Sequence, residues 1–339
     1  MLGSNPVLLV ILVLTLGATV VNGATDAPNA IAPAVSTRSL APGPAIIMAA
    51  ICNFVGLVLI TALSSAVAQT IFNMVDFGGN AHHALLALAA AMVAIIVWGV
   101  VTWFFGIPSS QSHSLIAGLT GAAIALQGGL AGVNGAEWMK VIYGLVVSTV
   151  CGFGGGWLFT KLLEKLFRNA DRRALQNKWR VAQIFTGAGV AVMHGAQDGQ
   201  KFLSISMLGI MLAMGSMDTS NVVFPLWLII LCALAMGLGT AVGGKKIIKS
   251  VGMDMAKLEP YQGFSASTTT FACLALATFT GLPVSTTHTA TTAIMGVGAS
   301  RRIRAVRWSM AGNMVLTWIL TFPGCGLIGF LLAKLFLLF

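Results

Sequence analysis

Two aspartates lie in strongly apolar sequence, and each stands in a motif that occurs twice. Asn22-Gly23-Ala24-Thr25-Asp26-Ala27-Pro28-Asn29 returns as His194-Gly195-Ala196-Gln197-Asp198-Gly199-Gln200-Lys201. An aspartate in hydrocarbon costs about 2.5 to 3.5 kcal/mol on insertion scales, so Asp26 and Asp198 need partners and a reason to be there. Gly23 and Gly195, with Pro28 and Gly199, are placed to interrupt helices and free carbonyls that ligate a cation. A carboxylate that caps an interrupted helix is the plainer alternative for either copy alone.

A second pair follows in the same order. Gly106-Ile107-Pro108-Ser109-Ser110-Gln111-Ser112-His113 is matched by Gly281-Leu282-Pro283-Val284-Ser285-Thr286-Thr287-His288. Proline suits the first turn of a helix because it has no N–H to leave unpaired, and the hydroxyls of Ser109, Ser110 and Ser112 can cap that turn. Free N–H groups, the positive end of the helix dipole and clustered hydroxyls together suit a tetrahedral oxyanion. Ser285, Thr286 and Thr287 offer the same set in the second copy, although a single such turn more often serves only as a cap.

His113 and His288 close these motifs, either as hydrogen-bonded core residues or as proton carriers. His194 and Asp198 are spaced to share a metal, but Asn22 stands at the matching place in the first copy, which argues against one. His82 and His83 fall near an outward interface. Charge adds a further constraint. Two aspartates and a divalent oxyanion carry four negative charges, and Lys201, the one basic residue deep in apolar sequence, returns a single positive charge. Protons, sodium or a divalent metal must enter with the anion, because isolated buried charge is too costly. Symport is the expectation.

Both motif pairs are displaced by nearly the same distance, Asn22 to His194 and Gly106 to Gly281, so the chain reads as a tandem duplication. The elements that carry the motifs are membrane helices. Of 339 residues, 57% are hydrophobic and 8% charged, with a mean hydropathy of +0.91, far from the soluble norm. Runs long enough to cross a bilayer cover roughly 6–21, 44–69, 84–105, 138–160, 181–213, 222–244, 261–280 and 308–338. Small residues around Gly23 resemble a signal cleavage site, but no Lys or Arg precedes Arg38, so the first run is expected to stay. Cys52, Cys151, Cys232, Cys273 and Cys325 are scattered singly and read as free thiols.

The formal charge of +10 is a topology signal rather than a nucleic-acid footprint. All of the 19 Lys and Arg except Lys140, Lys201 and Lys334 fall at Arg38, Lys161 to Arg180, Lys245 to Lys257 and Arg301 to Arg307, which the positive-inside rule assigns to the cytoplasm. Segments 70–83, 127–137 and 214–221 carry Asp76, Glu137 and Asp218 but no Lys or Arg, and should face outward. Threading the runs through these assignments makes the halves cross in opposite senses. The expected fold is therefore an all-α polytopic membrane protein of two inverted-topology repeats with broken helices, 1–167 and 181–339, joined by a solvated cytoplasmic linker, 168–180. In that frame His82 to Gln127 and Tyr261 to Ser300 each leave and return to one side, as re-entrant helical hairpins with approaching tips or as full crossings with short turns. Hairpins need protein around them, since irregular backbone at membrane depth must be buried or line a wet cavity.

The Asn22 motif with Ser36-Thr37-Arg38, the His194 motif, and the two Pro-Ser and Pro-Val-Ser motifs ending in histidine resemble the inorganic phosphate transporter (PiT) family, over residues 22 to about 302. The resemblance implies a secondary active transporter in the cytoplasmic membrane, not an enzyme, that imports phosphate with sodium or protons by alternating access. It implies phosphate binding by Ser109, Ser110, Gln111, Ser112, Ser285, Thr286 and Thr287. Asp26 and Asp198 are then the residues that hold the coupling cation, helped by Asn29, Thr25 and Gln197. Thr25 and Gln197 depart from the asparagine usual before each aspartate. Lys201 takes the place matching Asn29, as in many bacterial members, and its ammonium fills a space that sodium occupies in others, which favours fewer sodium ions or protons. The large cytoplasmic insert of some eukaryotic members is absent, which fits a compact prokaryotic form.

No cofactor beyond the coupling Na+ or H+ is expected. The expected partners are inorganic phosphate, the lipid bilayer and, as an open option, a second copy in a homodimer, with no nucleic acid. Sulfate is the nearest rival substrate, but it has no proton to donate to Asp26 or Asp198 at neutral pH. An anion channel, or an intramembrane enzyme built on Ser112 and His113 or on Asp198 and His194, fits less well. Paired inverted sites suit alternating access, and adjacent residues on a helix point about 100° apart.

Overall fold

Apolar runs in a membrane fold as helices because each helix satisfies its own backbone polar groups. The computed structural model describes residues 6–78, 80–105, 109–215, 222–243 and 248–338. Its helices are α1 (Pro6–Thr25), α2 (Pro28–Ser36), α3 (Pro42–Leu63), α4 (Ala66–Phe72), α5 (Ala81–Phe104) and α6 (Gln111–Gln127), then α7 (Gly135–Leu166), α8 (Arg172–Met214), α9 (Leu226–Val242), α10 (Pro260–Phe279), α11 (Thr286–Arg301) and α12 (Trp308–Phe336). A π-helical turn, Lys249–Asp254, precedes α10. Among the described residues five stretches are long and apolar enough to cross a membrane: Pro6–Ser36, which joins α1 and α2, and α3, α5, α7 and α12. The protein is thus the all-helical, multi-pass membrane protein expected. Gly106 to Pro108, Asp218, Lys245 and Lys246 lie outside the described residues.

The packing is duplicated as the sequence is. Helix α1 lies against α9 as α8 lies against α3, and α6 lies against α12 as α11 lies against α7. Loops repeat as well: Val75 bridges Val133, and Ala256 bridges Val306. Each of these four pairings joins residues before the 168–180 segment to residues after it, so the two halves are interleaved.

The expectation that both aspartate motifs break their helices holds only for the first. Pro28 supplies no N–H to Ala24, and the Asn29 N–H turns to the Asp26 carbonyl at 3.0 Å, so α1 ends and α2 begins there. In the second copy Gln200 stands where Pro28 would, and α8 runs unbroken through His194 to Lys201. Gly23 and Gly195 have a different task from interruption. A Cβ on Gly23 would meet the backbone of Met236 and Thr240 in α9, and one on Gly195 the backbone of Asn53 in α3. Both glycines allow two helices to touch.

The expected linker is shorter than 168–180. Helix α7 ends at Leu166 and α8 begins at Arg172, capped by the Asp171 side chain, so most of that segment is the first turns of α8. At 43 residues α8 is about 65 Å long. It is not among the apolar spans because Gln183, His194, Gln197, Asp198, Gln200, Lys201, Ser204 and Ser206 interrupt its apolar sequence, and the protein buries all eight. All five cysteines are free.

Candidate functional site

The tips of the two helical hairpins meet. Helix α6 opens after Ser110, whose Oγ accepts from the His113 N–H at 3.4 Å, and α11 opens after Ser285, whose Oγ accepts from the His288 N–H at 3.1 Å. Ser285 Oγ donates to Ser110 Oγ at 2.8 Å. Two helix N-termini therefore face each other, each carrying partial positive charge and unpaired N–H groups. Of the hydroxyls expected to cap, Ser110 and Ser285 do, whereas Ser109 bonds Thr102, and Ser112 and Thr286 turn to Asp198. Pro283 does not occupy the first helical turn as expected. Gly281, at φ +70°, turns the chain after α10, and Pro283 lies in the non-helical stretch before Ser285, with α11 starting at Thr286.

The aspartates supply the negative charge that these N-termini favour. Asp26 Oδ2 accepts from the Gln111 N–H at 3.1 Å, and Asp26 Oδ1 from Thr25 Oγ1 at 3.1 Å. Asp198 is more heavily held. Its Oδ1 accepts from Lys201 Nζ at 2.8 Å and Ser112 Oγ at 3.3 Å, and its Oδ2 from Thr286 Oγ1 at 3.1 Å and Asn22 Nδ2 at 3.3 Å. His194 Nε2 stands 3.3 Å from Asp198 Oδ2. Both aspartates are 0% exposed and Lys201 is 1% exposed. A charged lysine tolerates that burial because its three N–H donors are all used, on Asp198, on Ser112 Oγ at 2.6 Å and on the Val284 carbonyl at 2.7 Å.

The two copies reach across in the same way. Asn29 Nδ2 donates to Thr287 Oγ1 at 2.9 Å, and Lys201, at the matching place, donates to Ser112, which matches Thr287. Side-chain oxygens near the tips, Asn22 Oδ1, Asn29 Oδ1, Gln111 Oε1 and Gln197 Oε1, are buried without a hydrogen-bond partner. Unpaired buried acceptors of this kind are suited to a cation, which no protein N–H replaces.

Two predicted residues stand aside. Ser109 shares a hydrogen bond with Thr102 of α5 at 2.7 Å, so it ties the hairpin together rather than facing Ser285. Gln197 donates to Thr278 Oγ1 and to the Leu282 carbonyl, both at 3.3 Å, and so braces the second tip rather than sharing a centre with Asp198. His113 and His288 stack within an aromatic group. Their rings are 4.4 Å apart, His288 lies 3.5 Å from Trp318, and His113 lies 4.7 Å from Phe322. The described residues contain no group of three or more His, Cys, Asp or Glu side chains able to hold a metal.

Sequence reasoning missed Asn53, which meets His194 Nδ1 at 2.7 Å and donates to Thr240 Oγ1 at 3.3 Å. Its signal was available, an amide inside the apolar run that became α3. The Val284 carbonyl, a ligand of Lys201, carried no side-chain signal.

The sequence profile of a family described as the phosphate transporter family matches residues 22–329. A protein of Bacillus subtilis named a probable low-affinity inorganic phosphate transporter is 39% identical over 303 residues, covering 89% of each chain. One of Rhizobium meliloti with the same name is 39% identical over 308 residues, covering 91% of this chain and 90% of its own. A solved structure described as the sodium-dependent phosphate transporter superposes with a TM-score of 0.90 at 22% identity, covering 98% of this chain and 100% of that one.

Proposed function

The chain belongs to the phosphate transporter family, and from that premise we propose that it imports inorganic phosphate across the cytoplasmic membrane by cation-coupled alternating access at the paired helix tips. The observation that carries the reading is the convergence of four motifs, distant in sequence, on one buried contact. Ser110 meets Ser285, Ser112 meets Lys201 and Asp198, Asn29 meets Thr287, and the Gln111 N–H meets Asp26.

In this arrangement the tip hydroxyls are bonded to protein. Phosphate enters by exchange: Ser110, Ser112, Ser285, Thr286 and Thr287 turn their O–H groups from each other and from Asp198 onto its oxygens, and the Gln111 amide adds a donor. The N-termini of α6 and α11 oppose its charge on both sides. Lys201 contributes a fixed ammonium, already on Ser112. A protonated phosphate oxygen donates to a carboxylate, which sulfate cannot do at neutral pH.

The coupling cation belongs at Asp26. Asp198 carries its own cation in Lys201, whereas Asp26 has none, and the unpartnered oxygens of Asn22, Asn29 and Gln111 supply neutral ligands. That oxygen set favours one sodium ion over a proton, with Thr25 as a further ligand and Gln197 in a bracing role. Helices drawn from both repeats, 1–167 and 181–339, then shift about the tip contact, opening it to one side at a time. Their inverted sense is supported by the charge distribution and by the matched packing of α1 on α9 and α8 on α3.

The test is labelled phosphate uptake into proteoliposomes under an inward sodium gradient and, separately, an inward proton gradient, with excess sulfate present. Accumulation under one gradient that resists sulfate is expected. Uptake that ignores both gradients, or that sulfate abolishes, would overturn the proposal.

A further inference from the structure

We propose that the cleft where α7, α8, α10 and α11 meet, on the face that charge assigns to the cytoplasm, binds the headgroup phosphate of an anionic phospholipid. The cleft has a volume of 520 Å³ and is lined by Arg168, Arg173 and Arg301 together with Glu164 and Glu259. Both carboxylates are already engaged. Glu259 pairs with Arg301 at 2.8 Å, while Glu164 takes Lys161 at 3.1 Å and the Tyr261 hydroxyl at 3.1 Å. Asp171, beside the cleft in sequence, accepts from the Arg173 backbone N–H at 2.9 Å as the cap of α8. Among the described residues no carboxylate lies within ion-pair distance of the Arg168 or Arg173 guanidinium. Two planar forks of N–H donors thus line a cleft whose own carboxylates are engaged by other partners, and a phosphate diester matches them bidentately.

The surroundings favour a lipid over a soluble phosphate. Phe167 and Trp179 line the same cleft, their rings edge to face at 4.9 Å. Aromatic residues of this kind mark the level of the headgroups. On the same end of α7, Leu162 and Leu166 are exposed, at 46% and 66%, and offer apolar surface to acyl chains beside the arginines. Basic pockets at the cytoplasmic ends of membrane helices are a recurring headgroup site. A bound headgroup also touches the base of α10, the helix that leads to the Gly281 to Ser285 tip, so lipid composition acts on the hairpin from its foot.

The experiment reads lipid binding and does not depend on which ion or substrate is carried. Delipidated protein in detergent is titrated with phosphatidylglycerol, phosphatidylcholine, inorganic phosphate and ATP, with retained ligand counted by native mass spectrometry. The same is done for Arg168→Gln/Arg173→Gln and for Trp179→Phe. Phosphatidylglycerol is expected to be retained at least about tenfold more tightly than phosphatidylcholine, and the double arginine variant to lose about tenfold or more of that affinity with an unchanged unfolding temperature. Trp179→Phe is expected to lose less. Equal phosphatidylglycerol retention in the arginine variant overturns the proposal, and so does displacement of the lipid by ATP or inorganic phosphate at equal concentration, which would assign the cleft to a soluble phosphate.

Discussion

Asp26 and Asp198 hold matching places in the two copies, yet their surroundings differ in kind. Asp26 has two donors, Thr25 Oγ1 and the Gln111 N–H, whereas Asp198 has Lys201, Ser112, Thr286 and Asn22, with His194 beside it. The backbone differs too, a break at Pro28 in one and a continuous α8 in the other. The difference teaches that one duplicated carboxylate can be paired with a lysine of its own chain while its twin has no cation beside it, and that a broken helix goes with the second arrangement.

The comparison breaks most visibly at Lys201. Lys201→Ala leaves Asp198 as an uncompensated buried charge and should destabilise the protein by about 3 to 5 kcal/mol, read as thermal unfolding in detergent. Adding Asp198→Asn should return most of that loss, and a single variant as stable as wild type would show that the pair is not ionised. Next in size is Gln200→Pro, which imposes the first copy's break on the second. It should cost about 3 kcal/mol or more by removing a helical bond inside α8, together with the Gln200 Nε2 bond to the Ser64 carbonyl at 2.8 Å.

Asp26→Asn should change stability by only about 1 kcal/mol, since a neutral amide keeps an acceptor for Gln111 and buries no charge. Cation-stimulated uptake should nevertheless fall to background in the same variant. The converse is Lys201→Asn, which should make uptake depend more steeply on sodium. Equal sodium stimulation of wild type and Lys201→Asn would sink the idea of an internal cation. The smallest contrast is between neighbours. Ser110→Ala removes a helix cap and a tip contact, costs about 1 kcal/mol and should raise the KM for phosphate, while Ser109→Ala should leave KM nearly unchanged because Ser109 faces Thr102.

The paired motifs made the site legible before any coordinates, because a carboxylate or a hydroxyl cluster in apolar sequence has few uses and each appeared twice. The meeting of the tips was one of two readings the sequence left open, beside full crossings with short turns. What sequence left hidden was backbone. Gly195 and Gly23 were read as breakers, but both permit helix contact, and only the identity of residue 28 against residue 200 decides which helix continues. The motifs that the resemblance rests on carry Ser109 and Gln197 beside Ser110 and Asp198, yet helical and extended geometry turn neighbouring side chains in different directions. Asn53 went unnoticed because it stands alone on α3 and matters only through His194, a partner from the other half.

The interleaving of the halves has a consequence for how the protein is made. Gly56 of α3 packs on the Val192 backbone, and Asn53 reaches His194 and Thr240, all in segments that leave the ribosome later. The first half therefore enters the bilayer with the glycine and amide face of α3 still unpartnered, and it waits there until α8 and α9 are threaded in. Residues such as Gly56 are for that reason checkpoints of insertion, and a bulky side chain there should first reduce the amount of assembled protein, before any change in the turnover of the molecules that do assemble.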